Sequence, residues 1–69
     1  MFWWFERQGV FLRYEARESK DGFELCIIDP DGTERIERFE DSRELARRQT
    51  EFERQVRIEG WTGPHGWNL

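Results

Sequence analysis

Cysteine and histidine each occur once, as Cys26 and His65, and proline occurs only twice. A lone cysteine excludes an intrachain disulfide, and one cysteine with one histidine cannot furnish the ligand set of a structural zinc site. No apolar stretch approaches the roughly 18–20 residues that span a bilayer, so no membrane association is expected. Met1 leads straight into aromatic residues without a basic segment or a small-residue cleavage site, which predicts no signal peptide and a cytoplasmic location. The net charge of −4 opposes a nucleic-acid partner held by phosphate neutralisation. Lysine is nearly missing: Lys20 is the single lysine among 11 basic residues, an imbalance that fits codon bias.

Catalytic constellations are lacking too. Acid–base or nucleophilic chemistry needs a positioned pair or triad. His65 lies in a Gly/Pro-rich segment, Ser19 in a turn and Ser42 at a helix start. Cys26 sits mid-strand, where it reads as a small packing residue. Asp29, Asp31 and Glu34 resemble a loose cation loop, but the glycine and distal glutamate of an EF-hand are out of place. No glycine-rich phosphate loop exists. Neither an enzyme nor a bound cofactor or metal is expected.

What the chain does have is aromatic surface. Phe2-Trp3-Trp4-Phe5 opens a 69-residue domain, a size at which one core gives only marginal stability and oligomerisation commonly compensates. Residues 2–7, 10–18, 23–29 and 33–39 read as four strands. Asp21-Gly22 suits a two-residue type I′ turn that sets Ala16 opposite Ile27. Pro30-Asp31-Gly32 suits a three-residue bulged loop that sets Phe39 opposite Phe23. Gln8-Gly9 is a weaker two-residue turn.

The side-chain period of two sorts these strands into faces, and loops of two or four residues preserve the sorting. One face collects Trp3, Phe5, Val10, Leu12, Tyr14, Ala16, Phe23, Leu25, Ile27 and Phe39, which is a core. The other gathers Phe2, Trp4, Phe11, Cys26, Ile28 and Ile36, interleaved with Arg13, Glu15, Arg17, Glu24, Glu34 and Arg38. A solvated sheet face should be largely polar. This one is about half apolar, a mark of an interaction site.

A helix is expected from Asp41 or Ser42, with Asp41 and Glu44 forming a capping box and Gly60 ending it. Leu45, Gln49, Phe52 and Val56 form one stripe, slightly widened by Ala46. Glu44–Arg48 and Glu53–Arg57 are spaced as i,i+4 pairs on its outer faces. Beyond Gly60, three glycines (Gly60 included) and a proline exclude regular structure. Trp61 should pack on the helix end or a sheet edge, and residues 63–69 should form a mobile tail. The expectation is therefore an α+β domain over residues 1–62, a four-stranded antiparallel meander with one C-terminal helix on one face (ββββα).

The helix stripe is too narrow to cover both faces. The leading expectation is a homodimer, or docking on another protein, through Phe2, Trp4, Phe11, Arg13, Arg17, Ile28, Ile36 and Arg38. An internal alternative folds Trp61, Trp67 and Leu69 back over the second face. In its order of elements, four antiparallel strands then a helix, the chain resembles PC4-like and Whirly-like single-stranded DNA-binding domains, which assemble as dimers or larger. That resemblance is topological, carries no motif, and implies base stacking on a sheet face with interleaved aromatics and arginines. In composition the chain looks like the short, arginine-rich proteins of bacteria.

Overall fold

Three hairpin turns set the register of the first four strands. The computed structural model describes residues 2–66, in the order β1 (Phe2–Arg7), β2 (Val10–Ser19), β3 (Gly22–Ile28), β4 (Glu34–Phe39), α1 (Ser42–Ile58) and β5 (Thr62–Gly66). Gln8 and Gly9 have φ of 52° and 78°, the two positive values of a type I′ turn. Arg7 accordingly faces Val10 across it. In the second loop the Asp29 N–H donates to the Thr33 carbonyl at 2.8 Å and the Gly32 N–H to the Asp29 carbonyl at 2.9 Å. Pro30-Asp31-Gly32 thus form the expected three-residue loop, and Phe39 faces Phe23.

The hairpin between β2 and β3 differs from the expected type I′ turn. Its two loop residues are Lys20 and Asp21, with Ser19 facing Gly22 and Ala16 facing Leu25 rather than Ile27. Positive φ occurs at neither Lys20 nor Asp21, so the glycine sits just after the turn, a position it favours. Gly22 has a second reason to be glycine: a Cβ there would lie 2.3 Å from the Phe39 carbonyl oxygen. The partners shift by two residues, so the faces are unchanged.

The four-stranded meander is incomplete. Thr62–Gly66 forms a fifth strand, antiparallel to β1, giving the sheet order β4-β3-β2-β1-β5. Three glycines and a proline therefore did not exclude regular structure here. The expected boundary after residue 62 falls inside β5; Trp67 and Leu69 lie outside the described residues. Backbone pairing explains the strand, because hydrogen bonds to the open edge of β1 need no particular side chain. Proline suits such an outer strand.

The helix carries the chain from one edge of the sheet to the other. Seventeen residues make a rod about 25 Å long, longer than the roughly 19 Å between the outermost strands of a five-stranded sheet. Asp41 caps its start by accepting from the Arg43 backbone N–H at 2.7 Å. That choice of N–H replaces the expected contact to Glu44. At the far end the Gly60 N–H donates to the Arg57 carbonyl and the Trp61 N–H to the Val56 carbonyl, a Schellman closure with Gly60 at φ 97°.

Phe52 and Val56 enter the core beside Phe5, Leu12, Tyr14, Leu25, Ile27 and Trp61, with Leu45 packed at its margin. Ala46 is exposed and does not widen the stripe. The Tyr14 ring stacks on Trp3 at 5.1 Å and meets the edge of Phe52 at 5.4 Å. Trp61 is buried, as expected, beneath the Arg7 guanidinium, 4.5 Å from its ring centre. The proposed pairings along the helix give way to contacts with the sheet. Arg48 forks onto Glu37 of β4 at 2.7 and 3.0 Å, and Glu53 accepts from the Tyr14 hydroxyl.

Candidate functional site

The second face of the sheet is built by register alone. Across the strands, Phe2, Glu15, Cys26 and Ile36 form one row; Trp4, Arg13, Ile28 and Glu34 form the next. Arg17, Glu24 and Arg38 lie beyond the first row, and Glu6 and Phe11 beyond the second. The eight candidate residues, Phe2, Trp4, Phe11, Arg13, Arg17, Ile28, Ile36 and Arg38, therefore share one face. The core residues occupy the other, where α1 packs.

That face is open but uneven. Phe11 is 49 % exposed and Ile36 45 %, whereas Phe2, Trp4 and Ile28 are half-buried. Part of Trp4's cover comes from β5, which faces His65 to it and sets the two rings 5.6 Å apart. By sequence His65 falls in the expected tail over residues 63–69. Nothing in the local sequence signals its position, which depends on β5 pairing with β1. Of the internal alternative, Trp61 joins the core on the other face and β5 extends the sheet sideways, while Trp67 and Leu69 lie outside the described residues.

Charge on the face is organised around Glu24. It accepts from Arg17 Nε at 3.0 Å and from Arg38 Nε at 3.1 Å, and Arg17 also reaches Glu15 at 3.5 Å. Two of the three candidate arginines are thus already neutralised within the chain. Arg13 is different. Its cross-strand neighbours are Trp4 and Ile28, and it makes no ion pair or hydrogen bond among the described residues. Cys26, in the first row, is buried and donates its thiol to Glu34 of the second at 3.1 Å. Burial first, then that bond to a carboxylate, pushes the thiol pKa up, so it is poorly suited to act as a nucleophile.

Elsewhere the chemistry is structural. A cleft of about 340 Å³ lies beside the C-terminal half of α1, walled by Phe52, Val56 and Trp61. Its arginines are held already: Arg35 by Asp29, Arg48 by Glu37, and Arg7 by the Glu59 carbonyl at 2.9 Å. Asp31 accepts from the Thr33 N–H at 2.9 Å, which holds its carboxyl below the usual range. Among the described residues, no group of His, Cys, Asp and Glu could hold a metal, and no helix is long and apolar enough to cross a membrane. No family model, curated protein or solved structure matches the chain.

Proposed function

We propose that this chain is a non-catalytic, cytoplasmic interaction module that self-associates through the sheet face bearing Phe2, Trp4, Phe11, Ile28 and Ile36. The observation that carries the reading is the exposure of Phe11 and Ile36, 49 % and 45 %, on a face that no element of the described chain covers. Removing apolar surface from water contributes about 25 cal/mol per Å². A single-layered sheet can gain that layer from a second molecule. Sedimentation equilibrium across the micromolar range tests the reading. A concentration-dependent dimer that Phe11→Ser with Ile36→Ser abolishes is the expected result; a monomer throughout overturns it.

Single-stranded nucleic acid fits this face less well. Phe2, Trp4 and Phe11 offer stacking rings and Arg13 a cation without an ion pair among the described residues, but Arg17 and Arg38 both turn to Glu24. The fifth strand also departs from the ββββα order on which that resemblance rested. A labelled oligonucleotide titrated at about 50 mM salt should show no binding.

A further inference from the structure

We infer that two copies pair back to back with their β2 strands antiparallel, so that Arg13 of each copy meets Glu15 of the other. This inference rests on the self-association proposed above and specifies its geometry. β2 is the third of five strands, and the centre of the sheet therefore runs along it. Its residues on the open face alternate as Phe11, Arg13, Glu15 and Arg17. A face that meets its own copy must do so about a two-fold axis lying in the interface. With that axis along the strands, Arg13 would oppose Arg13 and Glu15 would oppose Glu15. Like charges would then meet at the centre of a buried surface.

With the axis across the strands, between the row of Glu15 and the row of Arg13, each row lands on the other. Arg13 then lies over Glu15 of the second copy, twice by symmetry. Phe2 comes over Trp4, Cys26 over Ile28, and Phe11 beneath Arg17, where a guanidinium can sit on a ring. The arrangement gives Arg13 the acidic partner it lacks among the described residues of its own chain. The contact area is adequate without being large. Five strands at about 4.8 Å spacing and six residues at about 3.3 Å rise cover roughly 500 Å² per copy, near the lower limit of about 1,000 Å² in total for a specific pairing.

Sedimentation equilibrium of Arg13→Glu, of Glu15→Arg and of their equimolar mixture tests the geometry. Each variant alone places like charges opposite each other twice, and should associate at least about tenfold more weakly than the unaltered chain. Mixed, one brings two acids and the other two cations to the centre, and a heterodimer of about the original affinity should form. Recovery on mixing cannot come from a folding defect, since neither chain has changed. If the unaltered chain dimerises while each variant alone does so equally well, or mixing restores nothing, this geometry is wrong and self-association stands. If the unaltered chain is monomeric, both fall together.

Discussion

Tyr14→Phe removes a single oxygen from a fully buried site in the aromatic core. The ring is 1 % exposed and is held by Trp3, Phe5 and Phe52, so the substitution leaves no cavity. What is lost is the hydroxyl's bond to Glu53 and its contact from Gln49 Nε2 at 3.4 Å. A hydrogen bond to a charged group is worth about 1.5–3 kcal/mol, and a half-buried Glu53 can recover part of that from water, leaving about 1–2 kcal/mol. For a domain of this size that lowers Tm by roughly 5–15 °C. The larger signature is alkaline. Burial, and then the bond to Glu53, push the Tyr14 phenol well above its ordinary value. The unfolded chain loses that proton near pH 10 and the folded chain only at higher pH. Stability from this group is therefore complete below about pH 10 and falls above it by about 1.4 kcal/mol per pH unit. Tyr14 is the sole tyrosine, so phenolate absorbance reads it directly. Denaturant melts against pH should show the slope in the native chain and its reduction in Tyr14→Phe, with phenolate appearing together with unfolding. A phenolate midpoint near pH 10 in protein that is still folded by circular dichroism would refute the reasoning.

Other expectations are more local. Phe52→Ala empties the centre of the aromatic cluster, where Phe52 is 4 % exposed, and should cost about 3–5 kcal/mol by urea denaturation, enough to unfold a marginal domain. Gly22→Ala drives a Cβ to 2.3 Å from the Phe39 carbonyl oxygen, whereas Gly9→Ala meets nothing within 4 Å; melting temperatures should fall much further for the first. The Asp41 carboxyl is held below its ordinary pKa by the side chain and then the backbone N–H of Arg43. Its contribution is therefore present above about pH 4 and lost as pH falls through the lowered folded value, and Asp41→Ala should flatten the acid limb of the stability curve. Cys26, buried and bonded to Glu34, should react with a thiol reagent only at the rate of opening; fast stoichiometric labelling of folded protein would contradict its placement.

The face assignments were legible because a strand's period of two survives errors in loop position. The β2–β3 turn falls one residue earlier than Asp21-Gly22 suggests, yet Tyr14, Leu25 and Ile27 still point inward together. The helix start at Asp41 and its end at Gly60 were equally readable, since capping chemistry is local. The fifth strand was not. Gly63, Pro64 and Gly66 argue against a strand by propensity, and only the unpaired edge of β1 makes one there. His65 joined the candidate face for that reason and no other. Charge pairing was also hidden: Arg48 has acids within its own helix, but α1 crosses the sheet close enough for Glu37 to take it.

The amino-acid order alone determined that one side of this sheet would be a core and the other about half apolar. Alternation and turn length are short-range properties that neighbouring residues enforce. Only the folded chain decided that β5 would widen the sheet instead of roofing it, and that Glu24 would gather Arg17 and Arg38 while Arg13 was left with neither acid nor hydrogen bond among the described residues. Those outcomes turn on which strands lie side by side across long stretches of sequence, and backbone pairing at an open edge is indifferent to the side chains that a reader of the sequence relies on.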